Sequence, residues 1–386
     1  MKIVADENIP FARDAFSTLG EVQLISGRDA TPAMFRDADL FFCRSVTKIS
    51  RALLDGSRVR FVATATIGTD HVDLDYLRQR GTAFASAPGS NANSVAEYIT
   101  ASLLVLARRG GYALEGKTLG VVGVGNVGSR VVQKSQALGM RVLQNDPPLA
   151  RQTRDPRFVP LDALFEADFI TLHVPLSREG EDGTYHLADE AFLRRMKPGA
   201  AFLNSSRGRV MDGKAVGRAL GDGHLSAAVL DVWEEEPVVD LPLLARVAIG
   251  TPHIAGYSFD GKVCATEMVY RAACQALGVA PTWDPASVMP PPQCPRLELN
   301  CAGRPEEDVL REAVLTVYDI EADDREFRAI PSDPSRHRAF FDRLRKLYPE
   351  RREFHNTRLF VHGASPGLER RLAGLGFRLE SPARSD

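Results

Sequence analysis

Thr118-Leu-Gly-Val-Val-Gly-Val-Gly-Asn-Val-Gly-Ser129 is the stretch whose reading decides the fold. Thr118–Val122 has the β-branched, apolar character of a buried strand, and a helical pattern follows over Gly128–Leu138. Between them, Gly123, Gly125 and Gly128 form a G-x-G-x-x-G turn. The first glycine permits the tight turn, the second lets backbone approach a pyrophosphate, and the third lets helix and strand pack closely. The helix start at Asn126 and Val127 then offers unpaired N–H groups and positive potential to phosphates. A second candidate strand, Arg141–Gln144, leads to Asp146, 18 residues beyond Gly128. A carboxylate there can accept hydrogen bonds from ribose hydroxyls and would repel a 2′-phosphate, which favours NAD over NADP.

The pattern extends in both directions from this turn. Downstream, Phe169–His173, Ala200–Asn204, Ala227–Val232 and Val247–Ile249 are strand candidates separated by helical stretches such as Gly213–Gly221. Upstream, Lys2–Ala5, Val22–Ile25, Leu40–Cys43 and Arg60–Thr64 alternate with helices or loops in the same way. Alternation of this kind predicts two doubly wound, Rossmann-like parallel sheets. A helix over Ser94–Arg109 is apolar enough to be buried on most sides. Prolines crowd 280–295 as in a stiff linker. Beyond it lies a small α+β pattern, with helices over Glu306–Tyr318 and His337–Tyr348 and strands over Arg296–Leu299 and Arg358–Val361.

Three residues fall just past successive strand candidates, where an open α/β sheet binds its ligands. Arg207 stands in Asn204-Ser-Ser-Arg-Gly208, Glu236 in Leu230-Asp-Val-Trp-Glu-Glu-Glu-Pro237, and His253 in Thr251-Pro-His-Ile-Ala-Gly256. Oxidation of a 2-hydroxy acid needs a base for the hydroxyl proton, a cation for the carboxylate and a group that tunes the base. The planar guanidinium of Arg207 suits a carboxylate. His253 is the natural base near neutral pH, and Glu236 is its partner. Each residue alone would pass for a surface or packing group, and their joint placement on one sheet is what carries the reading. Asp231 also ends a strand where nicotinamide would sit. His71 and His173 read as a loop-fixing and a core residue.

Composition excludes other classes. The 386 residues carry 48 basic and 50 acidic side chains, so no net field favours nucleic acid or an anionic membrane. No run reaches the roughly 18 apolar residues of a spanning helix, and Met1-Lys-Ile-Val-Ala-Asp-Glu7 lacks a basic-then-apolar leader, which predicts a cytoplasmic protein. The 5 cysteines include no C-x-x-C pair or zinc spacing, so no metal is expected.

Taken together, the glycine turn, the Arg207 and Glu236 segments and Thr251-Pro-His253 resemble the D-isomer-specific 2-hydroxyacid dehydrogenases, over roughly Lys2 to Cys274. Further segments, among them Cys43-Arg-Ser-Val-Thr-Lys48, Ala65-Thr-Ile-Gly-Thr-Asp-His71 and Gly256-Tyr-Ser258, resemble a branch acting on a phosphorylated sugar acid. The resemblance implies that Arg207, Glu236 and His253 are catalytic and that Ser45, Thr66 and Tyr257 contact substrate. It implies NAD contacts from Pro175, Ser205, Ser206, Asp231 and Gly256 besides the glycine turn. Pro175 stands where some relatives have Thr. It also implies a discontinuous substrate domain, 1–93 with 257–285, an inserted NAD domain, 94–256, and a C-terminal domain, 286–386, that makes a homodimer. The competing readings are a family member acting on another 2-hydroxy acid, such as 3-phosphoglycerate, and an NAD-sensing binding protein with little turnover.

Overall fold

Period-two burial on both faces organises the first part of the computed structural model. The structure describes residues 1–380, and the last six residues of the expected C-terminal segment, 381–386, lie outside the described residues. The chain divides into two compact units, Met1–Asn91 with Ser258–Pro291, and the segments starting at Ala92 and at Pro292. In the first unit the strands β1 (Lys2–Asp6), β2 (Glu21–Ile25), β3 (Leu40–Cys43), β4 (Phe61–Thr64) and β5 (Ala83–Ala85) form a parallel sheet in the order β2-β1-β3-β4-β5. Ile3, Ala5, Leu40, Phe42, Phe61 and Ala63 bury against the helix Phe259–Leu277 through Val263, Val269 and Ala273. The alternate residues Val4, Phe41, Cys43 and Val62 bury on the other face with Phe35, Leu54, Tyr76 and Leu77. Burial on both sides explains why these strands read as continuous apolar runs. β5, an edge strand of three residues that was not expected, is too short for periodicity to reveal.

The second unit holds β6 (Thr118–Val122), β7 (Arg141–Asn145), β8 (Phe169–Leu172), β9 (Ala201–Asn204), β10 (Ala227–Leu230) and β11 (Ile249–Gly250), all parallel in the order β11-β10-β9-β8-β6-β7. Strand order reverses between β6 and β8, and such a switch point opens a crevice at the strand C-termini. The glycine turn leaves β6 at that point. Two strands are shorter than expected: β10 stops at Leu230 rather than Val232, and β11 covers Ile249–Gly250 and starts two residues after Val247. The residues beyond them turn away to build the site.

A small parallel sheet, β12 (Arg296–Asn300), β13 (Arg358–His362) and β14 (Arg378–Glu380), belongs to this unit as well. It is not packed apart. Leu299, Val309, Leu310 and Val314 share one buried cluster with Leu103, Leu104 and Val131, so the helix Ala92–Gly110 is covered on nearly every side. Among the described residues, no helix is long and apolar enough to cross a membrane.

Candidate active site

The three glycines of the turn each have a measurable cause. Gly123 sits at φ 84°, in the left-handed region that favours glycine. A Cβ on Gly128 would lie 2.0 Å from the Gly123 carbonyl oxygen, so nothing larger fits between helix and strand. A Cβ on Gly125 would meet nothing within 4 Å, which leaves open space where a phosphate would approach. Gly125 caps the helix Asn126–Ala137, whose first N–H groups, those of Asn126, Val127 and Gly128, have no partners within the helix. The Asp146 carboxylate accepts from Val124 N at 2.8 Å and from Leu149 N at 3.0 Å, which fastens the turn to the end of β7. Each oxygen keeps a second lone pair for a ribose hydroxyl. Open space at Gly125, a free helix N-terminus and a carboxylate at the second strand fit an NAD molecule.

Past β10 and β11 the chain assembles a histidine–carboxylate pair. His253 Nδ1 lies 2.6 Å from Glu236 Oε1, with both side chains about 30% exposed. With a carboxylate as acceptor, the proton sits on Nδ1 and Nε2 is left as a base. Burial pushes the Glu236 carboxyl up, but the imidazole of His253, the Trp233 N–H and the Arg345 guanidinium outweigh it and hold the group below its ordinary value. Glu236 therefore stays ionised.

The backbone at His253 is unusual. Its φ is 59°, which a non-glycine residue adopts only when its surroundings impose it. Asp231 imposes it. His253 N donates to the Asp231 carbonyl at 2.7 Å, and the Asp231 carboxylate accepts from Thr251 Oγ1 at 2.7 Å, Ile254 N at 2.7 Å and Ala255 N at 3.0 Å. Tyr98 OH lies 2.8 Å from Thr251 Oγ1, and Trp233 Nε1 donates to the Thr251 carbonyl. On the far side, Ser94 Oγ and Arg351 Nη2 both donate to the Ala255 carbonyl. Asp231 is 1% exposed, and burial is the main cause raising its carboxyl pKa. Besides the nicotinamide contact expected of Asp231, its side chain holds the loop.

Arg207 follows β9 in a turn braced by Asn204, whose Oδ1 accepts from Ser206 N and Oγ and whose Nδ2 donates to the Arg207 carbonyl. Gly208 then crosses the Glu236 loop so closely that a Cβ would lie 2.0 Å from the Trp233 carbonyl oxygen. That crossing fixes the Arg207 turn on the backbone leading to Glu236. Ser205 Oγ is buried with no partner, while Ser206 is spent on Asn204. Pro175 is exposed and its carbonyl accepts from Thr184 Oγ1, and Gly256 closes the His253 loop. Burial drives the His173 imidazole down to about 3, which keeps it neutral and removes it as a rival base.

Within the first unit, Ser45 lies exposed after β3, and Thr66 follows the neighbouring β4. Thr66 Oγ1 is 2.7 Å from Thr64 Oγ1, which is 3.1 Å from His71 Nε2, so His71 does fix this loop. In the second unit, Tyr257 packs edge-on to Tyr348 at 5.9 Å, beneath the guanidinium of Arg345. Sequence reasoning missed Arg345, together with the bracing residues Asn204, Ser94 and Arg351.

A strand-end His–Glu pair with an adjacent arginine, on the sheet that carries a dinucleotide turn, defines an NAD-dependent 2-hydroxyacid dehydrogenase. Residues 98–255 match the D-isomer specific 2-hydroxyacid dehydrogenase, NAD binding domain, and residues 288–376 match a domain of unknown function. The erythronate-4-phosphate dehydrogenase of Cronobacter sakazakii is 47% identical over 98% of both chains, and that of Edwardsiella ictaluri is 46% identical over 98% of this chain and 99% of its own. A D-lactate dehydrogenase from Aquifex aeolicus, solved with NAD and lactic acid, superposes with TM-score 0.57 at 26% identity, covering 72% of this chain and 96% of that one. The chain belongs to the D-isomer-specific 2-hydroxyacid dehydrogenase family, in its erythronate-4-phosphate dehydrogenase branch.

Proposed function

We propose that this protein oxidises 4-phospho-D-erythronate at C2 to (R)-3-hydroxy-2-oxo-4-phosphooxybutanoate, with NAD as hydride acceptor, a step of pyridoxal 5′-phosphate (vitamin B6) biosynthesis. The 2.6 Å His253–Glu236 pair carries the chemical part of this reading. The full-length similarity to erythronate-4-phosphate dehydrogenases supports the substrate.

NAD, when bound, supplies the electrophilic carbon that takes the hydride. Gly123, Gly125 and Gly128, with the N–H groups of Asn126 and Val127, would hold its pyrophosphate, and Asp146 its ribose. Ser205, Ser206, Pro175 and Gly256 would line the nicotinamide end, with Asp231 acting chiefly by holding the His253 loop. Arg207 binds the substrate carboxylate through its fork and polarises the carbonyl as it forms. His253 Nε2 takes the C2 hydroxyl proton, and Glu236 stabilises the resulting imidazolium and fixes the tautomer. Ser45, Thr66 and Tyr257 contact the substrate's oxygens. The segments 1–93 with 257–285 would serve the substrate, 94–256 the cofactor and 286–386 homodimerisation, in a cytoplasmic enzyme.

NADH formation with 4-phosphoerythronate, 3-phosphoglycerate, D-lactate and D-erythronate tests the assignment. The expected result is strong preference for 4-phosphoerythronate, and preference for 3-phosphoglycerate would overturn it.

A further inference from the structure

The stretch 288–376, whose family model is a domain of unknown function, sends one side chain to the His253–Glu236 site. The helix His337–Lys346 is anchored at its start, where Val239 N donates to His337 Nδ1 at 3.1 Å and His337 Nε2 reaches the Pro331 carbonyl at 2.8 Å. One turn on, Phe341 is buried edge-on to Phe327, which packs against Trp233. His337, Phe341 and Arg345 are spaced four apart, so they share one helix face. That face is pinned on the chain segment that carries Glu236, three residues beyond Trp233.

Arg345 ends the stripe. Its guanidinium carbon stands 5.2 Å from the Tyr257 ring centre, and its Nε is buried with no hydrogen-bond partner. The charge acts on the pair itself, since Arg345 is one of the groups holding the Glu236 carboxyl down. A guanidinium donates through five N–H groups in a fixed fork that matches phosphate geometry. A partnerless Nε beside a catalytic pair is an incomplete donor set.

We infer that Arg345 binds substrate in this site and takes the phosphate of the phosphorylated 2-hydroxy acid, with Tyr257 at its side. Arg207 holds the carboxylate at the other end of the same molecule. This inference rests on the substrate reading above and gives the C-terminal segment a role in specificity. Relatives that lack this segment would have no such cation.

The test uses the full chain with Arg345→Met and Arg345→Lys, assayed on 4-phosphoerythronate and on unphosphorylated D-erythronate. NAD affinity is measured by fluorescence to confirm the fold, and inorganic phosphate serves as a dead-end ligand. Arg345→Met should raise KM for 4-phosphoerythronate by about 30-fold or more, as expected for loss of a charge-assisted fork, and cost D-erythronate oxidation at least about 10-fold less than it costs 4-phosphoerythronate oxidation in kcat/KM. Phosphate inhibition should disappear, and Arg345→Lys should fall between. An equal loss on both substrates with phosphate inhibition retained would show a role limited to positioning Tyr257 and Glu236 and would overturn the inference. So would a KM shift below about 3-fold. If the parent enzyme does not oxidise 4-phosphoerythronate, the substrate reading fails alone. Calorimetric binding of inorganic phosphate to parent and Arg345→Met, each saturated with NADH, then decides the role of Arg345. Weakened binding in the variant supports it, and equal binding refutes it.

Discussion

Glu236→Gln separates stabilisation of the protonated base from substrate binding. In the ground state Glu236 faces a neutral imidazole, and as His253 accepts the hydroxyl proton it faces an imidazolium. At 2.6 Å and an effective dielectric of ~20, Coulomb's law gives ~6 kcal/mol for that full ion pair. The two side chains are 30% and 27% exposed, so solvent screening removes about half and leaves ~3 kcal/mol. At about 1.4 kcal/mol per decade, this is a loss of about 10²-fold in kcat. The amide can also donate to Nδ1, which moves the imidazole proton to Nε2 and blocks the base, so the loss should extend towards 10³- or 10⁴-fold, as the serine-protease triad illustrates (about 10⁴ there). KM for NAD and for the hydroxy acid should stay within about 3-fold, because neither is held by Glu236. Steady-state NADH absorbance with both substrates varied measures all three quantities. A kcat within about 5-fold of the parent would refute the assigned role of the pair.

The turn glycines give a paired prediction. Gly125→Ala adds a methyl to open space at φ −72°, so the unfolding midpoint should barely move while NAD affinity falls about 10-fold or more. Gly128→Ala drives a Cβ to 2.0 Å from the Gly123 carbonyl and should lower stability by several kcal/mol, roughly the upper range for overpacking; equal thermal midpoints for the two variants would contradict the packing argument. Asp231→Ala strands the buried N–H groups of Ile254 and Ala255 and releases the left-handed His253, so chemical denaturation should show a loss of ~2–5 kcal/mol together with a fall in kcat. A loss below ~1 kcal/mol would sink that account. Burial first, and then the facing Glu353, push the Glu97 carboxyl up to about 8, with Lys134 and Arg351 opposing. The folded state thus keeps a proton that the unfolded chain loses near its ordinary 4.5, and stability should decline as pH rises from there to about 8, by at most roughly 1 kcal/mol per pH unit. Glu97→Gln should flatten this slope in pH-dependent urea melts, and an unchanged slope would assign it to another group.

What the sequence could show depended on the range of the interaction involved. Gly123, Gly125 and Gly128 were legible because each answers to a neighbour within a few residues, and β1, β3, β4 and β6 were legible because both faces are buried. The packing of the C-terminal segment was not legible. Leu310 and Val314 look the same in sequence whether they cover their own small sheet or join Leu103 and Leu104. Nothing in the helical pattern over His337–Tyr348 shows that His337 and Arg345 face other parts of the chain. Only the fold shows that Val239 and Tyr257 lie under them.

Asp231 marks the boundary between the chemistry a sequence can name and the geometry it cannot. A carboxylate at a strand end near nicotinamide suggested a ligand contact, because strand C-termini are where ligands bind. The following residues also turn back over it at once, and Ile254 N, Ala255 N and Thr251 Oγ1 all donate to it, which no local pattern shows. Those bonds hold His253 in a conformation costing of order 1–3 kcal/mol. That cost has a use. An imidazole held by Glu236 on Nδ1 and by its own backbone on Asp231 has little freedom left, so its Nε2 is oriented before substrate arrives and the proton transfer needs no reorganisation. A buried carboxylate that touches no reacting atom can thereby matter to the rate as much as one that does.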